Sequence, residues 1–473
     1  MSTLVCSSHK REKDMDLLIN FLMILSFWKE TFYRKKTLHR ALCHAISSLC
    51  AIGRHTITNA IAFSGKDNSD WSAEYKFFSR SKWNLRALFR PIIQQSLYLF
   101  EAGYVFVAVD DTKLKKTGKK IKSASWQRDS LSPPFWTNLI FGLRFLQVSL
   151  LPPLHRLYGK PCRSLPVCFK EVPIVKKPGK KASEEEWAAY KKEIKIKNLS
   201  QSFVETIKEL RKDLDNSGAF NKILVITCDG SFCNKVCMGL NVERTYLVAR
   251  CRKNAKLCFK ATGNGRAFYA KEKFSPEGVR QDDNIPWNET TIFHGGDWRK
   301  IRYKEVNNVL WQNGTKRKYL KLIVIAPTPY KLTKKGKTLY RQPAYLLITD
   351  TEGPIQEYIQ AYFDRWQIEV NHREEKDTLG VGEAQVRNEK SVPRHPAFRV
   401  AVYSALLLAS IISFKDAYTS EFSILPRWRK KKKRPSCLDL IHLLRKQLVM
   451  NPKLALEWGL DIDLIDTIAK SAA

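Results

Sequence analysis

Acidic residues are the scarce class in this 473-residue chain. Asp and Glu number 46 against 82 Lys and Arg, a balance of +36 in a chain that is 44% hydrophobic. That imbalance implies a polyanionic partner, with nucleic acid the first choice. An anionic membrane surface fits less well, because the basic residues are spread along the chain and not gathered on one amphipathic segment. The 12 Trp and 24 Phe exclude a small basic tail protein and imply a large packed core. CxxC pairs are missing. The 11 cysteines are odd in number and too sparse for a disulfide scaffold. Cys228, Cys233, Cys237, Cys251 and Cys258 cluster, but not at zinc-finger spacings. They read as reduced, partly buried thiols of a cytoplasmic protein. Runs of membrane-spanning length are missing too. Leu17 to Trp28 is apolar but lacks a small-residue cleavage site and runs into Lys29-Glu30, and Phe398 to Ile412 is short and carries Arg399. A core helix is expected for the first and an apolar helix too short to span for the second, with no membrane partner.

The length suffices for two or three domains. Residues 1–15 are charged and expected to fray. Up to residue 100 the pattern is helical, with Leu38, Leu42, Ile46 and Leu49 on one face. Within 48–65 a helix, a turn near Gly53 and a second helix from about Thr56 are compatible with a helix-turn-helix. From 101 to 253 strands and helices mix. Two β-rich runs there end in carboxylates: YVFVAV (104–109) before Asp110-Asp111, and KILVITC (222–228) before Asp229-Gly230. Phe135 to Leu151 is expected to supply two meander strands, and residues 183–214 one charged surface helix. Residues 254–350 alternate short apolar runs with basic and turn residues, which predicts an all-β insertion. Residues 351–415 return to helix, and 416–473 form a basic helical region containing RWRKKKKR (427–434).

The segment Tyr358–Gly380 is expected to be one helix, entered through Gly353-Pro354 and stopped by Gly380. Tyr362, Arg365, Glu369 and Lys376 then project from one side. By itself such a stripe is a solvated face with Arg365 and Glu369 paired. A strand that stops abruptly in a carboxylate is, by itself, a turn. Taken together they admit another use. Phosphodiester chemistry needs charge neutralisation at phosphorus and an activated oxygen nucleophile, which two Mg²⁺ ions roughly 3.5–4 Å apart supply. Such ions take hard oxygen ligands, and two strand ends and a helix face are a suitable source of three carboxylates. Side chains alternate along a strand, so only one of Asp110 and Asp111 can serve.

The pattern Y-x2-R-x3-E-x6-K, behind two aspartate-terminated runs, resembles the YREK signature of DDE, RNase H-like transposases of bacterial insertion sequences. The resemblance spans about residues 38–415. It implies an α/β (α+β) fold: an RNase H-like mixed-sheet catalytic core in two parts (101–253 and 351–415), an inserted β subdomain (254–350), an N-terminal helical DNA-binding domain (1–100) and a C-terminal helical region (416–473). It implies Asp111, the aspartate before Thr112, with Asp229 and Glu369 as catalytic metal ligands, Asp110 being the alternate to Asp111. It implies two Mg²⁺ ions, with Mn²⁺ able to substitute. Tyr362, Arg365 and Lys376 correspond to phosphate contacts, with Trp366 beside them. Tyr345 stands where the family has a base-stacking tryptophan, and Arg54, His55, Arg80 and Lys82 are candidate DNA contacts. The implied partners are double-stranded DNA, as element ends and target, and a second protomer to pair two ends, in a bacterial cytoplasm at the nucleoid. An RNase H-like nuclease without strand transfer, and a catalytically idle DNA-binding descendant, are the alternatives.

Overall fold

The computed structural model describes residues 16–472 except 69, 102, 130–131, 134, 264–265, 334–335 and 423–433. The stretch 1–15 and most of the RWRKKKKR run lie outside the described residues.

The chain opens with helices α1 (Asp16–Ser26), α2 (Lys35–Cys50), α3 (Ile57–Phe63), α4 (Ser72–Ser79) and α5 (Arg90–Ser96). The expected turn between α2 and α3 is present. Gly53 takes φ +85°, and the Thr56 hydroxyl caps α3 by accepting from the Asn59 N–H at 3.1 Å. Phe77, Phe78 and Trp83 are buried and pack against one another and Phe398. The aromatic segment 70–84 thus builds core, and Arg80 and Lys82 stand on its exposed side.

Strands β1 (Tyr104–Lys115), β2 (Ser125–Arg128), β3 (Leu139–Leu150) and β4 (Leu165–Glu171) follow. The apolar run to Leu151 is therefore one long strand and not two. Helices α6 (Glu184–Ile196) and α7 (Leu199–Leu214) replace the single helix expected over 183–214. Asn198 separates them, because its side chain caps α7 by accepting from the Gln201 N–H at 3.0 Å. Next come β5 (Ile223–Cys228), β6 (Thr245–Arg250), β7 (Asn288–His294), β8 (Asp297–Leu310), β9 (Tyr319–Ile325), the small hairpin β10 (Pro329–Lys331) and β11 (Thr338–Tyr340), and β12 (Ala344–Ile348).

The large sheet runs β2-β3-β1-β5-β6-β12-β9-β8-β7, with β4 on β3. Strands β1, β5 and β6 are parallel and the other pairs antiparallel. The inserted segment is thus no separate layer. Its strand β12 pairs with β6, and β9, β8 and β7 extend the same sheet outward. Helices α8 (Ile355–Asp364) and α9 (Gln367–Arg373), a π-turn (Glu374–Thr378), α10 (Ser391–Phe414), α11 (Cys437–Met450) and α12 (Ile462–Ala472) complete the chain.

Each face of the sheet has its own core. Phe106, Ala108, Val225, Val248 and Leu346 lie under Ile359 and Ile368 of α8 and α9. The opposite face, with Val105, Val107 and Val109, shares one continuous cluster with α1, α2, α10, α11 and α12, from Leu17 to Ile468. The N-terminal and C-terminal helices therefore fold onto the sheet and do not form an independent core. Helix α10 has 24 residues, longer than the apolar stretch expected, and is long and apolar enough to cross a membrane. Yet 89% of its apolar window is buried inside the protein. Its internal Arg399 is satisfied by the carbonyls of Leu379, at 3.0 Å from Nε, and Ser48, at 2.9 Å.

Candidate active site

The middle of β1, the end of β5 and one broken helix meet within the sheet. The expected stop of the first run at Asp110-Asp111 is not found, because β1 stays paired with β3 as far as Lys115. Parallel strands β1 and β5 pair up to Val109 and Cys228, so Asp110 and Asp229 leave the ladder side by side. Strand alternation puts Asp110 on the face of Phe106 and Ala108, the one covered by α8 and α9. Its antiparallel neighbour in β3, Gln147, confirms the face. Gln147 donates to Ser149 Oγ at 3.2 Å, and Ser149 donates to Oδ1 of Asn371 in α9 at 3.3 Å. Asp111 points the other way. It pairs with Leu146, whose side chain belongs to the opposite core; burial, and more weakly Asp229, push its carboxyl up against the pull of Arg144, Lys113 and Lys376. The resemblance favours Asp111 for the site, but the face shared with Asp229 and Glu369 is that of Asp110.

Asp229 makes its own turn. Its Oδ1 accepts from the Ser231 N–H at 2.9 Å. Gly230 does not adopt positive φ, so it is not needed for that turn. Burial first, and then Asp229 and Asp111, push the Asp110 carboxyl up to about 7, against Arg365. Burial also raises Glu369, opposed by Arg365. Arg365 Nη2 lies 3.4 Å from Glu369 Oε1. The guanidinium thus balances carboxylates from both a strand and a helix.

The 358–380 stretch is not one helix. It starts at the expected Gly353-Pro354, with Pro354 as N-cap and Ile355 the first helical residue. It breaks at Arg365 and Trp366, where neither proline nor glycine sits, and resumes as α9. It then widens into the π-turn, where the Leu379 N–H donates to the Glu374 carbonyl at 3.0 Å. Lys376 rides on that turn, exposed and within electrostatic reach of Asp110. Gly380 ends the segment as expected, with φ +56°. A Cβ there would lie 2.7 Å from the Glu383 carboxylate and the His55 ring. The break leaves Trp366 half-exposed beside Arg365, and Tyr362 half-buried against Phe363.

Residues outside the signature hold this helix in place. The buried Tyr358 hydroxyl donates to Asp350 just after β12. Gln360 clamps the edge strand β7, accepting from the Phe293 N–H at 2.7 Å and donating to its carbonyl at 2.9 Å. Asn371 is a buried hub that donates to the Ser164 carbonyl at 3.2 Å and to Tyr403 Oη of α10 at 3.0 Å. A signal for part of this was visible in the sequence. Gln147 and Ser149 interrupt the apolar β3 run two residues apart, on one face.

The remaining candidates scatter. Arg54, Arg80 and Lys82 are exposed. His55 is not available as an open DNA contact. Its N–H donates to Glu383 at 2.6 Å, and burial, then Arg399, push its ring down to about 4, so it is neutral. Tyr345 is buried on the sheet face away from Glu369, with its hydroxyl bonded to Glu277. It offers no open ring for stacking. Arg250, next in register to Asp229, and Arg252 are exposed at the same sheet end and were not singled out from the sequence.

A protein-family model described as DDE superfamily endonuclease matches residues 29–318, well over half of the chain. The chain belongs to this family. The DDE match contains both β-rich runs with their aspartates and ends before Tyr345 and the Glu369 helix. The large mixed sheet with helices on both faces is the RNase H-like DDE architecture. No curated protein matches the chain.

Proposed function

We propose that this DDE-family protein is a transposase of the YREK type, which cuts at the ends of a DNA element and joins the freed 3′-OH to target DNA. The observation that carries the reading is the convergence of Asp110, Asp229 and Glu369 on one face of the central strands, with Arg365 and Lys376 beside them. The donor set fits Mg²⁺, since it consists of carboxylate oxygens. Burial is the main cause that raises Asp110, and the further rise from Asp229 and Asp111 is like-charge repulsion of the kind a divalent cation relieves. When bound, a pair of such ions neutralises charge at phosphorus and lowers the pKa of the attacking oxygen.

The protein's own groups do the positioning. Asp110 is the first ligand, in place of Asp111, because only its side chain faces the helix. Arg365 offers a planar fork to phosphate oxygens and Lys376 a point charge. Arg250 and Arg252 extend the cationic strip along the sheet end. Trp366 presents a ring on which a base can stack. Arg54, Arg80 and Lys82 serve the element-end sequence, and His55 anchors the turn between them and the π-turn. Two protomers pair two ends, in the cytoplasm at the nucleoid.

The deciding experiment is a strand-transfer assay with Mg²⁺, on DNA carrying the sequences that flank the gene. Wild type is compared with Asp229→Ala and Glu369→Ala. Joined products from wild type, and none from either variant, are expected. Binding without cleavage by wild type would overturn the enzymatic reading. Cleavage without joining would leave a nuclease.

A further inference from the structure

Far from the carboxylate cluster, the loop before α12 brings Asp461 onto α2, where His39 and Cys43 stand one helical turn apart. His39 Nε2 lies 2.9 Å from Asp461 Oδ1. Cys43 Sγ lies 3.3 Å from Asp461 Oδ2 and 3.9 Å from His39 Nε2. We infer that His39, Cys43 and Asp461 form a second metal site, for a borderline-soft transition ion of which Zn²⁺ is the best fit.

Three features support it. The donors are an imidazole nitrogen, a thiol sulfur and a carboxylate oxygen, the mixture zinc accepts and Mg²⁺ does not. Bonds of about 2.0–2.3 Å in a tetrahedron place neighbouring ligand atoms roughly 3.3–3.8 Å apart. The three observed separations straddle that range, so small side-chain rotations close the site. The ligands also have an outer support, since Lys66 Nζ lies 2.8 Å from Asp461 Oδ2 and orients the carboxylate. Cys43 is 2% exposed and faces inward, while the His39 side chain is 41% exposed. The fourth position therefore opens to solvent and takes water.

Binding displaces the thiol proton of Cys43 and any proton on His39 Nε2 into solvent. The ion would staple together positions 418 apart in sequence, tying the C-terminal helices to the helix that leads into the Gly53 turn. The same atoms without a metal make a plain His39–Asp461 ion pair with a thiol donor, and the two states are separable spectroscopically.

The test is a Co²⁺ titration of the full-length, chelator-treated protein. A sulfur-to-cobalt charge-transfer band and intense visible bands of a tetrahedral site are expected. They should saturate at about one ion per chain and vanish on adding Zn²⁺. Co²⁺ on the Asp110–Asp229–Glu369 carboxylates has oxygen ligands and no sulfur band, so the two sites do not interfere. Cys43→Ser should lose the band. His39→Gln, at a side chain open to solvent, should lower the apparent affinity with an unchanged far-ultraviolet spectrum, and it decides the matter should Cys43→Ser fail to fold. Zn²⁺ should raise the melting temperature of wild type by more than that of either variant, which keep only the carboxylate site at full affinity. No sulfur band in wild type, or a band of full intensity in Cys43→Ser, overturns the site and leaves the ion pair.

Discussion

Asp110 and Asp111 are adjacent and chemically identical, and one strand alternation separates their surroundings. Asp110 meets Asp229, Arg365 and the α9 face, whereas Asp111 meets Arg144 and Lys113 first and feels Asp229 and Lys376 less. Asp110→Ala is expected to lower DNA cleavage by roughly 10²-fold or more, as removal of a group acting at the reacting centre does. Asp111→Ala should cost far less. Single-turnover cleavage of a labelled DNA end measures both, and equal losses would return the assignment to either aspartate. Asn371 poses a stability question instead. Its amide joins β3, the Ser164 segment and α10 beneath the glutamate helix. Asn371→Leu strands those buried partners and should destabilise the fold by about 2–3 kcal/mol. Urea denaturation checks this, and an unchanged midpoint would remove Asn371 from the support of the site.

Among the elements, the broken helix determines how the signature residues stand. A straight helix would put Tyr362, Arg365, Glu369 and Lys376 in one stripe. Across the break at Arg365-Trp366 the i,i+4 pair of Arg365 and Glu369 survives, and the π-turn at 374–378 carries Lys376 off the regular helical register. The pairing of α2 with α4 makes a separate, pH-dependent element. Burial would push the Glu74 carboxyl up, but His44, Arg40 and Lys66 outweigh it and hold it at about 2. A carboxyl held lower in the folded chain than in the unfolded one contributes stability above its ordinary value. That contribution is lost as pH falls. The melting temperature should therefore drop between about pH 4.5 and about 2. Glu74→Gln should be less stable at neutral pH and flatter across that window in a thermal-melt series. An equally steep profile in the variant would place the acid sensitivity elsewhere.

At the scale of the whole molecule, the +36 charge and the continuous sheet act together. DNA affinity should fall steeply with salt, with a slope of about −0.9 per phosphate neutralised. Arg250→Ala and Arg252→Ala should each reduce that slope by about 1. Asp110→Ala should leave it unchanged, since Asp110 is no cation. Fluorescence anisotropy across a salt series measures these slopes, and wild-type slopes in the arginine variants would remove the sheet end from the DNA path. Much of this scale was legible in advance. The basic excess, the strand that ends before Asp229 and the apolar run of α10 are written in composition and local runs. The unity of the fold was not. Residues 254–350 look like a separate β unit because their runs are short, yet β12 finds its partner in β6, about a hundred residues away in sequence.

The sequence by itself determined most elements: that β-rich runs lead into Asp110 and Asp229, where Gly380 ends a helix, and that an anionic partner is expected. Those follow from local backbone preference, side-chain period and net charge. That β1 runs on past Asp110 to Lys115 it did not determine. Only the tertiary structure decided which of two neighbouring aspartates lies on the face of Glu369, that Tyr345 is buried and His55 partly so, and that His39, Cys43 and Asp461 meet. Facing is set by which helix covers which side of a sheet, and meeting by contacts between distant segments. Neither leaves a mark in a local run of residues.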